Sequence, residues 1–186
     1  MKNPADYWGM ACHGLGVIQP IDLMVADVHS RTGFQFQIVG GIDPQPFEDD
    51  FVNEYVVQHK AGKKLIFIGH SKGAMMSFYL ADRLKKYGIP LALVISFDST
   101  CWASNAPGIT PWTNIGPPHR GKWYVPDNVD RWAYYRQDQF PGGGYAELAP
   151  GNKHTKFTTQ TRREGHIGFV AVPEVHDQTV DLVRAA

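Results

Sequence analysis

The sequence predicts an α/β fold of three layers, a mostly parallel sheet of about six strands packed between helices. Three observations carry that expectation. In the first half, short apolar runs alternate with amphipathic helical periods, the pattern of successive βαβ units. The run Leu65-Ile66-Phe67-Ile68 is apolar without alternation, as expected of a strand covered on both faces. The segment Gly69-His70-Ser71-Lys72-Gly73 then joins that run directly to a helical period.

Taken in order, residues 7–12 read as a first strand ending in His13-Gly14-Leu15-Gly16. A helix follows with Ile21, Met24, Val25 and Val28 on one face. Pro20 suits its first turn and Gly33 its carboxyl cap. Residues 34–39 form a second strand, closed by Gly40-Gly41. Phe47, Phe51, Tyr55 and His59 recur every fourth residue and stop at Gly62, a second helix. After the strand at 65–68, a helix from Lys72 turns Met75, Met76, Tyr79, Leu80 and Leu84 inward, and Gly88 and Pro90 end it. Residues 91–97 are the next buried strand.

Beyond Asp98 the character changes. Residues 99–129 are rich in Trp, Pro, Asn and Gly without a helical period, and a loop of that length is usually functional or disordered. Trp102, Trp112, Trp123 and Tyr124 favour an ordered loop over something apolar; they suit an acyl pocket and a satellite hydrophobic cluster equally well. Residues 131–136 and 154–161 read as strands, and 173–184 as a terminal helix with Val175, Val180 and Val183 inward. Gly142-Gly143-Gly144 lacks the strand before and the Lys-Ser/Thr helix after that a phosphate cradle needs, so it reads as a turn.

Bulk properties narrow the function classes. A chain of 186 residues suits one domain, here 1–186, and is too short for two ordinary ones. Eighteen basic and eighteen acidic residues cancel, so no global charge draws the chain to nucleic acid or an anionic membrane. Cys12 and Cys101 cannot build a disulfide framework of the secreted kind, and two free thiols are the expectation. No apolar run approaches the ~20 residues of a membrane span, and the first residues lack a signal-peptide core, so a cytoplasmic protein is expected. The histidines show no His-Glu-x-x-His or paired spacing, and no metal site is expected.

Gly-x-Ser-x-Gly alone is a weak pattern; its setting between a buried strand and an amphipathic helix is the setting of a nucleophile elbow. There the serine occupies a strained turn, and flanking glycines let strand and helix approach. The turn also puts Ser71 at a helix amino terminus, where free N–H groups favour developing negative charge. An ordinary strand–helix turn with a serine cap is the plain alternative.

Gly69-His70-Ser71-Lys72-Gly73-Ala74, the helix after it and Ile89-Pro90-Leu91-Ala92-Leu93-Val94-Ile95 resemble the α/β hydrolases, above all their thioesterase-like branch. The resemblance spans residues 10–100 and returns at 165–172. It implies an α/β-hydrolase sheet lacking the first strands of the family, with strand order 2-1-3-4-5-6 along this chain. It also implies a base after the last strand and before the last helix, a position His166 meets. His176 lies inside the final helix, His154 precedes the last strand, His119 falls in the long loop, and His70 is expected to pack. For the acid, the thioesterase-like branch points to Asp98, steadied by Ser99 and Thr100. Many other members of the fold point one strand further on, to Asp138, with Asp127 and Asp130 as remote options. The oxyanion hole would combine the N–H of Lys72 with that of Leu15, in a loop similar to the family's His-Gly-x turn.

The resulting expectation is a serine hydrolase that cleaves a carboxylic ester or thioester through an acyl-enzyme on Ser71, with His166 as base, Asp98 as acid and no cofactor. Its partner would be a small acyl substrate bound at the carboxyl edge of the sheet, roofed by residues 99–129. The absence of a long helical cap suggests an open site for short or medium acyl groups. A non-catalytic receptor on the same scaffold and an acyltransferase are the rival readings; oligomeric state is not legible.

Overall fold

In the computed structural model, which describes residues 3–14, 20–40, 44–99, 122–137, 145–166 and 168–186, the first half of the chain alternates strand and helix throughout. Strand β1 (Tyr7–Cys12) leads to α1 (Pro20–Thr32), β2 (Phe36–Val39), α2 (Pro44–Lys60), β3 (Lys64–His70), α3 (Lys72–Lys86) and β4 (Leu93–Phe97). The second half adds β5 (Lys122–Val125), β6 (Arg131–Gln137), β7 (Tyr145–Leu148), β8 (Lys156–Arg162) and α4 (Pro173–Ala185).

Six strands form one sheet in the order β2-β1-β3-β4-β6-β8, with every neighbouring pair parallel. Counting only the strands of this sheet, that is the expected order 2-1-3-4-5-6. The apolar side chains of β1, β3, β4 and β6 split between its two faces. Ile66, Ile68, Ile95 and Tyr135 meet Met24 and Val28 of α1 and Val180 and Val183 of α4. On the opposite face Leu65, Phe67, Val94 and Trp132 meet Phe51 and Tyr55 of α2 and Leu80 and Leu84 of α3. These are the three layers. Their buried, unalternating strands follow from having helices on both sides.

Register places the functional edge. Cys12 lies opposite Gly69, His70 opposite Phe97, and Phe97 opposite Tyr135. The strands β1, β3 and β4 therefore end nearly level and β6 runs two residues further, so His13, Ser71 and Asp98, which follow the first three, and Gln137, the last residue of β6, gather at one carboxyl edge.

Several expected boundaries shift for identifiable reasons. The second strand starts at Phe36 and not at residue 34, because the backbone of Phe34 is engaged by the end of α1. Its N–H donates to Thr32 Oγ1 at 3.1 Å, and its carbonyl accepts from His29 Nδ1 at 2.9 Å. The strand expected from residue 91 starts at Leu93, since Leu91 pairs instead with Val129 ahead of β6. The last strand starts at Lys156, two residues late. Asn152 closes a turn there, accepting from the N–H groups of His154 and Thr155 at 3.1 Å each.

Two strands were not anticipated. β5 lies within the stretch expected to be loop, and it pairs in parallel with β7 as a separate small sheet. Trp123 of β5 stacks on Phe78 of α3, ring centroids 5.2 Å apart, and Phe78 also packs on Trp132 and Tyr134 of β6, so the small sheet extends the cover of α3 beyond the main one. That helps bury Phe78, while Ser77 faces the main sheet. Trp102, Trp112 and Cys101 lie outside the described residues, as does most of the expected roof; Cys12 is a buried free thiol. No helix among the described residues is long and apolar enough to cross a membrane.

Candidate active site

Ser71 follows β3 without an intervening loop and has φ +58° and ψ −118°, a conformation L-residues rarely adopt. The chain reverses there from strand to helix in one residue. Its N–H donates to Phe97 O at 2.8 Å, and its carbonyl accepts the first helical bond of α3 from Met75 at 3.2 Å. The neighbouring glycines are what make so abrupt a turn possible. A Cβ on Gly69 would stand 2.3 Å from the carbonyl oxygen of Gly73. A Cβ on Gly73 would stand 2.0 Å from that of Cys12. Below the turn, α3 is tied to the sheet by buried hydroxyls. Ser77 Oγ lies 2.7 Å from Ser96 Oγ of β4, which accepts from Trp132 Nε1 of β6 at 3.1 Å.

Asp98 takes the equivalent place after β4, with φ +48° and its N–H on Tyr135 O at 2.7 Å. Its side chain is fully buried. Oδ2 lies 2.5 Å from His166 Nδ1 and accepts from Gln137 Nε2 at 3.0 Å. On the far side of the imidazole, His166 Nε2 lies 2.9 Å from Ser71 Oγ. A carboxylate only accepts, so Nδ1 carries the hydrogen toward Asp98 and Nε2 is left to take one from the serine. Side chains far apart in sequence thus form one hydrogen-bonded line from acid through imidazole to hydroxyl.

His166 stands in the loop between β8 and α4. That loop is braced by Arg162, whose guanidinium holds Glu164 at 2.8 and 3.2 Å and reaches Glu174 of α4 at 3.4 Å. His70, fully buried, packs as expected and does more. Its ring stacks on that of His166 with centroids 4.8 Å apart, and its Nε2 donates to the His166 carbonyl at 2.8 Å. Burial pushes the His70 pKa down to about 4, so it is neutral near pH 7. Burial pushes the Cys12 thiol the other way, up to about 12, so it is not a nucleophile in the native chain.

Other expected residues fall elsewhere. Leu15 and Asp138 lie outside the described residues, as do Thr100 and His119. Gly14, just before Leu15, is close to the serine: a Cβ there would be 2.8 Å from Ser71 Cβ. Lys72 begins α3, where backbone amides have no acceptor within the helix. Asp127 pairs with Lys85 at 2.7 Å and Asp130 with His154 at 2.8 Å, so neither carboxylate serves His166. His176 Nε2 donates to Val170 O at 2.9 Å. Ser99 does not steady Asp98 through its hydroxyl, which lies 2.8 Å from Tyr134 OH. The chain after Asp98 turns Ser99 toward the α2/α3 face, where Tyr134 is buried. Gln137 takes the part expected of Ser99, and a single glutamine at a strand end carries no sequence signal for it. Among the described residues no group of three or more His, Cys, Asp or Glu side chains could hold a metal ion.

No protein-family model matches the chain, and no curated protein matches it in sequence. Solved structures do match it in shape. The RedJ thioesterase of prodiginine biosynthesis in Streptomyces coelicolor superposes with a TM-score of 0.59 at 13% identity, over 98% of this chain and 87% of that one. Human thioesterase 2 gives 0.54 at 11% identity, over 96% of each chain. XC6422 from Xanthomonas campestris, a serine hydrolase without a lid, gives 0.50 at 10% identity, over 95% of this chain and 81% of that one. At such identities the likeness speaks for architecture, and with the parallel six-stranded sheet and its flanking helices it gives the chain the α/β-hydrolase fold.

Proposed function

We propose that this protein is a serine hydrolase that cleaves a carboxylic ester or thioester through an acyl-enzyme on Ser71. The observation that carries the reading is the line Asp98 Oδ2, His166 Nδ1, His166 Nε2, Ser71 Oγ, with contacts of 2.5 and 2.9 Å at the carboxyl edge of the sheet. His166 takes the Ser71 proton as Oγ attacks the acyl carbonyl, and the imidazolium that forms is stabilised by the buried Asp98 carboxylate. Oxyanion charge falls at the amino end of α3, where the Lys72 N–H, joined by that of Leu15, would receive it. His166 then protonates the departing alcohol or thiol, and a water activated by the same base releases the acid. Burial of Asp98 gives this arrangement its strength, since an imidazolium forming beside it is attracted through little intervening water. The shape likeness to thioesterases and to a lidless hydrolase favours a small, accessible acyl substrate.

The test is release of p-nitrophenol from acetate, butyrate and octanoate esters by wild type, Ser71→Ala, Asp98→Asn and Asp138→Asn. Ser71→Ala and Asp98→Asn are expected to lose roughly 10³-fold or more in kcat, and Asp138→Asn to stay near wild type. A collapse with Asp138→Asn alone would move the acid one strand along. A wild type that is inert on every ester and is not labelled by a serine-directed phosphonate would overturn the reading in favour of a non-catalytic receptor. Acyl transfer to an alcohol or amine shares the acyl-enzyme and would show as faster turnover when an acceptor is added.

A further inference from the structure

We propose that His70 is a positioning residue for the base, holding the His166 backbone through its Nε2–H and the His166 imidazole against its own ring; this rests on the serine-hydrolase reading above. The need for such a residue follows from where His166 sits. It belongs to a loop and not to a helix or strand, yet its ring must satisfy Asp98 on one nitrogen and Ser71 on the other at once. A rotation that lengthens either contact by an ångström breaks the line.

His70 meets that need from the strand that carries the nucleophile. It is the last residue of β3, directly before Ser71, and is paired in register with Phe97, directly before Asp98. Its hydrogen bond to the His166 carbonyl, 2.8 Å, ties the base's main chain to this rigid corner. The stacked ring, 4.8 Å between centroids and 29° between planes, limits tilting of the imidazole. A carbonyl can only accept, so the bond fixes the tautomer with hydrogen on Nε2. The charged and titratable groups that face His70 are His166, Asp98 and His13. Because burial keeps His70 neutral down to about pH 4, this tautomer persists while His166 gains and loses its proton. A neutral neighbour also places no second positive charge against the imidazolium formed during attack.

His70→Gln keeps a neutral N–H donor at about the reach of Nε2, whereas His70→Phe keeps the ring and removes the donor. With p-nitrophenyl butyrate near neutral pH, His70→Phe is expected to lower kcat about 10- to 100-fold while KM changes less than about twofold. His70→Gln should recover most of that loss, and thermal melts establish that each variant is folded. Proton NMR supplies a readout that does not depend on turnover: the low-field Nδ1–H signal of His166 should be present in wild type and His70→Gln and broadened or lost in His70→Phe. A folded His70→Phe with wild-type kcat and an intact signal overturns the proposal, as does a His70→Gln no better than His70→Phe. Should His70→Phe not fold, nitrogen shifts of the wild type still decide, because a His70 protonated at neutral pH or carrying its hydrogen on Nδ1 would refute it. An inert wild type that resists the phosphonate would sink the hydrolase reading, while the imidazole signals would still report whether His70 holds His166.

Discussion

A methyl group on Gly73 would sit 2.0 Å from a main-chain oxygen of β1, and backbone cannot swing aside as a side chain can. Alanine is the better helix former by about 1 kcal/mol, so on propensity alone Gly73→Ala, inside α3, should stabilise the protein. The close approach reverses that sign. Overpacking of this kind costs about 1–3 kcal/mol, and here it would also push α3 away from the end of β1, carrying Ser71 off its line to His166. Gly73→Ala is therefore expected to melt several degrees lower and to lose activity out of proportion to its stability, as thermal melts beside ester kinetics would show. A variant as stable as wild type would mean that α3 and β1 can part more easily than the packing implies.

At the scale of elements, His166 stands in the loop between β8 and α4, and Arg162 braces that loop. Its guanidinium joins the end of β8 to Glu164 in the loop and to Glu174 in the first turn of α4. Two of its nitrogens meet the two oxygens of Glu164, a forked contact that lysine could not reproduce. Arg162→Gln is expected to cost about 1 kcal/mol, a lower Tm by a few degrees, with kcat falling and KM little altered. Retention of full kcat by a destabilised Arg162→Gln would show that His166 is held without this brace. The small β5/β7 sheet also matters at this scale. By laying Trp123 over Phe78 it adds to the packing that holds α3, the helix whose first turn follows Ser71.

Over the whole molecule, the buried histidine couples stability to pH. The ordinary histidine pKa is near 6.5, and in the folded chain burial lowers that of His70 to about 4. Below about pH 6.5 the unfolded chain takes up a proton at this position that the native chain refuses. Its contribution is therefore undiminished above that pH and is lost as pH falls toward 4, by up to about 1.4 kcal/mol per unit. Urea unfolding at about pH 7 and about pH 5 should show wild type losing more stability across the interval than His70→Gln. Equal losses in the two proteins would mean that His70 is not held neutral by its surroundings.

The parallel sheet and the helices on each face were legible in the chain because they rest on local periodicity and on connections that can close in few ways, whereas the strand order came from the family resemblance. The strained turn at Ser71 was legible too, since glycines at positions 69 and 73 leave room that no other residue would. Pairings between distant residues were harder to read. That Asp98 meets His166 across 68 positions was expected only through the family resemblance, with Asp138 as the alternative. That Gln137 meets Asp98 across 39, and that His70 reaches the His166 carbonyl across 96, was not expected at all. No period or spacing records such contacts. They depend on strands ending level at one edge and on the path of the loop that brings His166 back to it. Parallel strands β5 and β7 went unseen for the same reason, each being four residues long and made by a partner about twenty positions away. Local chemistry thus determined most of the elements and the turn at Ser71, whereas the choice of which carboxylate and which carbonyl meet at that turn was made only when the sheet assembled.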